Sequence, residues 1–89
     1  MSGFPHHIRA RYVQNALTAL RGRQSREEIA KAMGVAPVTL NAYSLEPSVK
    51  GSRMIPMQRL VHLMCLAEQA LKEAQAEMSE MAQLAKSAA

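Results

Sequence analysis

The chain has 89 residues, a net charge of +4, one cysteine, no tryptophan and only 3% aromatic residues. That length allows one small domain, near the lower limit for burying a core of its own, and the core has to be aliphatic. A lone Cys65 excludes an internal disulfide and a thiolate cluster for zinc. Set in the apolar run "LVHLMCLA", it reads as a small core hydrophobe and not as an activated thiol, which needs cationic neighbours. The start "MSGFPHHIRARYV" has no apolar signal-peptide core, and no apolar run nears the roughly 18 residues of a membrane span. The expectation is a cytoplasmic protein in reducing surroundings.

Ala, Leu, Met, Glu, Gln, Lys and Arg dominate, all good helix formers, and no segment alternates with the period of a half-buried strand. The predicted fold class is all-α. Residues 1–56 form a first region of short helices, and residues 57–89 a long C-terminal helix or a nearly collinear pair.

In chain order, Ile8, Tyr12, Val13, Ala16, Leu17 and Leu20 recur at steps of three and four, which predicts a helix over 6–20. Gly22 suits its C-terminal cap, flanked by Arg21 and Arg23 beside the negative end of the helix dipole. Ser25 and Glu28 have the spacing of a capping box at the start of a second helix, whose buried face is Ile29, Ala30 and Met33. Gly34 ends it, Val35 plugs the turn, and Pro37 suits the first position of a third helix over 37–45. That helix carries Val38, Leu40 and Tyr43 and stops before Pro47. "EPSVKGSRMIP" reads as a loop, either a mobile segment or a tight excursion.

From Met57 to Lys86 there is neither Gly nor Pro. Leu60, Met64, Ala67, Leu71, Ala74, Met78, Met81 and Ala85 follow each other at alternating steps of four and three, a heptad pattern. Leu60, Leu63 and Met64 are assigned to the domain's own core, and His62 to a packed or rim position. Beyond Ala70 the short preceding helices offer nothing to pack against, so Leu71, Ala74, Met78, Met81 and Ala85 are assigned to a homodimer interface, parallel or antiparallel. The last residues, "SAA", are expected to fray.

The charge is unevenly spread. Residues 1–53 hold eight Lys/Arg against three Glu, whereas residues 54–89 hold three against four. A basic half attracts polyanions.

Within that half, the stretch from Arg26 to Leu45 resembles the helix-turn-helix of λ-repressor/Cro-like DNA-binding regulators. Ala30 stands as the small residue of the first helix and Gly34 as the turn glycine four residues on. Ile29, Met33, Val35, Leu40 and Tyr43 are the apolar set. Small plasmid (Kor-type) and phage repressors are similar in size. Many of these regulators have Trp-Glu and a short basic loop where this chain has Tyr43, Ser44 and a longer loop to Pro56.

The resemblance implies a sequence-specific repressor that binds a palindromic site on double-stranded DNA as a homodimer, with residues 37–45 in the major groove. Base contacts then fall to Ala36, Pro37, Val38, Asn41 and Ala42; Asn41 suits adenine, and base contact is favoured over the alternative of a solvated surface amide. Phosphate contacts fall to Arg21, Arg23, Ser25, Arg26, Thr39, Lys50 and Arg53. The rival expectation is a protein-interaction module, such as an antitoxin-like or phage adaptor protein, whose C-terminal helix binds another protein. No catalytic constellation, phosphate loop, metal site, cofactor or small-molecule ligand is expected: the serines lack a paired base, and adjacent His6 and His7 point to different helix faces.

Overall fold

The computed structural model of the chain describes residues 4–88. Helices make up 74% of it, and no strand occurs among the described residues. The order is α1 (His6–Leu20), α2 (Arg26–Met33), α3 (Pro37–Ser44) and α4 (Met57–Ala88). Among the described residues no helix is long and apolar enough to cross a membrane.

The helix ends follow from local chemistry. Ser25 caps α2 by a full capping box: its hydroxyl accepts from the Glu28 amide at 3.1 Å, and its own amide donates to Glu28 Oε1 at 3.0 Å. At the other end Gly34 sits at φ 73°, in the left-handed region. The Gly34 and Val35 amides fold back onto the Lys31 and Ala30 carbonyls, so two otherwise free acceptors are satisfied. A Cβ on Gly34 would meet nothing within 4 Å. Glycine is therefore required there by backbone conformation and not by lack of room. Arg59, reaching from α4, donates to the Met33 carbonyl at 2.8 Å and adds a cation at the negative end of α2.

Helix α3 begins on Pro37, as expected, and ends one residue earlier than expected. Ser44 Oγ donates to the Asn41 carbonyl, and Leu45 is already extended at φ −81°, ψ 143°. Residues 45–56 are a tight excursion. Val49 bonds back to Glu46, Ser52 to Val49, and Gly51 turns the chain at φ 90°. Ser52 Oγ holds the Leu45 carbonyl, and the Arg53 amide donates to the Ala42 carbonyl, so the loop returns alongside α3. Ile55, 1% exposed, anchors its end in the core.

One core joins all four helices. Val13, Leu17 and Leu20 from α1, Ile29, Ala30 and Met33 from α2, and Leu40 and Tyr43 from α3 meet Leu60 and Leu63 of α4. Ala30 and Leu40 have no exposed surface, which places the α2–α3 crossing close at Ala30. Arg9 is the one charged side chain among the described residues to be buried. It donates to the carbonyls of Phe4 and Ile55, tying the start of α1 to the loop entering α4. At the opposite end Arg23 pairs with Glu77 at 2.7 Å and Glu73 at 3.4 Å, so α1 and α4 run in the same direction.

Helix α4 is a single helix through Ala88; Ala89, part of the stretch expected to fray, lies outside the described residues. Its 32 residues span about 48 Å and set the long axis of a 54 × 29 × 21 Å molecule. The radius of gyration, 15.9 Å, exceeds the roughly 12 Å of a compact chain this long because part of α4 overhangs the body. Leu60, Leu63, Ala67 and Ala70 are buried, and nothing after Ala70 is. Two core assignments in "LVHLMCLA", Cys65 and Met64, are corrected, and His62, assigned to a packed or rim position, is exposed. Cys65 is exposed as well, and Met64 keeps 41% of its surface. An apolar run covers every face of a helix, and with Leu60, Leu63 and Ala67 turned inward, positions 62 and 65 turn outward.

Replacing Arg9 with Leu leaves two carbonyls without their donor, and the loss expected in urea unfolding is about 2 kcal/mol. An unchanged midpoint would show that the Arg9 bonds contribute nothing net.

Candidate nucleic-acid interface

The body turns one face of α3 inward through Leu40 and Tyr43. The other face is left to solvent: Ala36, Pro37 and Asn41 are exposed, and Val38 is 74% exposed. An exposed β-branched residue in a helix gains neither propensity nor burial, so Val38 contributes nothing evident to the stability of this fold. Ala36 offers no side-chain cap, so the first turn of α3 lacks a side-chain partner for its amides. Ala42, expected on the same exposed face, is half-buried; its carbonyl accepts from both Leu45 and Arg53, which turns it toward the returning loop.

Asn41 is not a bare surface amide. Its Oδ1 accepts from Arg26 Nη1 at 2.6 Å, which leaves the amide NH2 as the outward group. Arg26 is the first residue of α2, so this bond spans the two short helices at their exposed side. Sequence spacing alone offered no sign of it, because fifteen residues separate the partners. A polar anchor lies behind α3 as well: Gln14 Nε2 donates to the Ser44 carbonyl at 2.6 Å, joining α1 to the last turn of α3.

The basic candidates divide. Arg21 and Arg26 border one depression, between the end of α1 and the α2–α3 pair, together with Gln14, Gln24 and Ser44. Arg53 and Lys50 are exposed on the loop that returns beside α3. Arg23 is not in this group. Its guanidinium is directed at Glu73 and Glu77 of α4, about the middle of that helix, and so is engaged away from α3. Such a half-exposed pair contributes on the order of 0.5 kcal/mol, but it fixes where the side chain points. Thr39 is half-buried. Ser25 commits its amide to Glu28, while its hydroxyl oxygen accepts from the Glu28 amide and keeps its own O–H as a donor. The acidic residues of this half are Glu27 and Glu46, both exposed, and Glu28, which is committed to the cap.

The Ser25 amide, and after it the Ser25 hydroxyl, hold the Glu28 carboxyl below its ordinary value of 4.5. A carboxylate lowered in the folded state stabilises the fold above its unfolded pKa, and that contribution is lost as pH falls through the lowered value.

Comparison with protein-family models, with curated proteins and with solved structures finds no match to this chain.

For Ser25→Ala, which removes the hydroxyl but keeps the backbone amide, an NMR titration is expected to move the Glu28 pKa only part of the way back toward 4.5, and acid unfolding to lose only the hydroxyl's smaller share of the pH dependence. A Glu28 pKa that returns fully to 4.5 would count against the Ser25 amide as the larger cause.

Proposed function

We propose that this protein is a sequence-specific DNA-binding repressor that acts as a homodimer on a palindromic operator, with α3 in the major groove. One observation carries the reading. An eight-residue helix is locked by Leu40 and Tyr43 on one side and presents Pro37, Val38 and the Arg26-clasped Asn41 on the other. The pattern of Ala30, Gly34, Val35 and Leu40 that resembles λ-repressor/Cro-like regulators coincides with the closely crossed α2–α3 pair. The basic half of the chain supplies the attraction to phosphate.

The geometry refines the roles. Asn41, with its carbonyl oxygen taken by Arg26, presents its NH2 group, a donor suited to adenine N7 or thymine O4. Val38 offers methyl contact to thymine. Arg26, Arg21, Lys50, Arg53 and the Ser25 hydroxyl are the phosphate contacts; Arg23, paired with Glu73 and Glu77, is left out of that set. Ala36 and Pro37 come close to the duplex without a side-chain donor, so their side chains read shape and methyl groups. A few contacts from one short helix bind weakly, and a second copy on the adjacent half-site raises the affinity through effective concentration. The exposed stripe of α4 supports such a second copy. It equally suits a different protein partner, the rival reading, in which DNA is not bound and Asn41 has no role.

Selection from random duplexes is expected to return a palindrome with half-sites about 34 Å apart. On that site Asn41→Ala is expected to lose about 1–3 kcal/mol and to relax preference at one position. Lys50→Ala should weaken all sequences alike and lower the salt slope by about 1. Failure to enrich any sequence at moderate salt would refute DNA recognition.

A further inference from the structure

The stripe on α4 has a continuation on the body. Tyr12, Ala16 and Ala19 of α1 and Met64, Ala67 and Leu71 of α4 line an open apolar groove. It runs into the bare part of the helix, where Met78 and Met81 are 71% and 67% exposed. Groove floor and overhang differ in kind: the floor is alanine, and the overhang carries flexible methionine side chains that fill irregular gaps.

We propose that two copies exchange these parts reciprocally: the C-terminal half of α4 of one copy lies antiparallel in the α1–α4 groove of the other, about a two-fold axis near Ala74. The inference rests on the homodimer reading above and supplies its orientation. Laid antiparallel about Ala74, the heptad places Leu71 against Met78 of the second copy, Ala67 against Met81, and Met64 against Ala85. Large residues then meet small ones at two layers, and Ala74 meets Ala74 where the axes come closest. A parallel pairing sets every residue against itself. Two adjacent methionine layers, Met78 and Met81, would then be flanked by alanine layers at Ala74 and Ala85, leaving gaps beside crowded levels.

The bodies decide the matter further. Ala67 and Ala70 are already buried under α1. In a parallel pair α1 of both copies stands at that same level, so the seam is confined to residues 71–88, about 27 Å of helix; in the antiparallel pair Met81 of the second copy lies over the groove floor at Ala67 and does not pass between α1 and α4. The antiparallel arrangement covers two overhangs and two grooves. Met64, Leu71, Met78 and Met81 together expose on the order of 500 Å² of surface, in the upper range of what monomers tolerate. With Tyr12, Ala19 and Ala85 added, the surface reaches roughly 600 Å², the lower end of what each partner gives to a stable interface.

Disulfide trapping in a Cys65→Ser background tests this on the full chain. Leu71→Cys and Met78→Cys are made separately, checked for helical content, and oxidised alone and mixed, with sedimentation in parallel. The expected result is a dimer in sedimentation, a mixed disulfide on mixing, and no cross-link from either variant alone. Self-cross-linking of each variant means a parallel dimer. That outcome, or a dimer with no cross-link at all, overturns the proposed orientation and leaves the homodimer reading standing. A monomer at tens of micromolar overturns both and leaves a different protein as the occupant of the stripe. A second pair guards against local damage. Ala19→Glu and Met78→Lys each lose the dimer alone, and their mixture regains it, since one groove then meets one complementary tail. No recovery in folded variants overturns the exchange.

Discussion

The packing of α1 against the first half of α4 is the constraint on which the rest of the molecule depends. Val13, Leu17 and Leu20 meet Leu60 and Leu63 in a layer with almost no exposed surface, and the two helices run in the same direction. Helices α2 and α3, of eight residues each, are too short to persist alone. They exist as helices because Ile29, Met33, Leu40 and Tyr43 close over that layer. The polar ties serve the same end. Arg9 fixes one end of the α1–α4 pair, Arg23 the other, and Gln14 holds the last turn of α3 to α1.

This arrangement explains how α3 can be both well held and bare. Leu40 and Tyr43 lie on its inner side, while Pro37, Val38 and Asn41 have nothing above them. A helix used only to complete a core gains nothing from a surface valine. The Arg26–Asn41 bond presets one amide on that surface at no further cost in side-chain freedom when a ligand arrives. The same economy of core leaves α4 half-covered. A body of three short helices can bury four turns or so of a 32-residue helix, and the remaining apolar stripe emerges where α1 ends.

Particular residues mark how far sequence reading reaches. The α1 boundaries, the Ser25–Glu28 box and the left-handed Gly34 were legible because each depends on residues within one turn. So was the continuous α4, since no residue within it interrupts a helix. Cys65 and Met64 were misplaced because an apolar run does not reveal its own phase; the phase is set by which residues of α4 the body covers. Arg23 was grouped with the other basic residues because Glu73 and Glu77 lie some fifty positions away in the chain. Ala42 was placed outside because its sequence neighbours do not show the path of the 45–56 loop, which the Ser52–Leu45 and Arg53–Ala42 bonds bring back beside α3.

The sequence by itself therefore determined an all-helical chain, most of its helix ends, its uneven charge and the heptad stripe of α4, because all of these rest on propensity and short spacing. Only the tertiary structure decided which face of α4 is covered, which arginines remain available, and that Asn41 is held by Arg26. These depend on residues brought together by the crossing of helices, and a crossing is settled by the shape of the whole core rather than by any one segment.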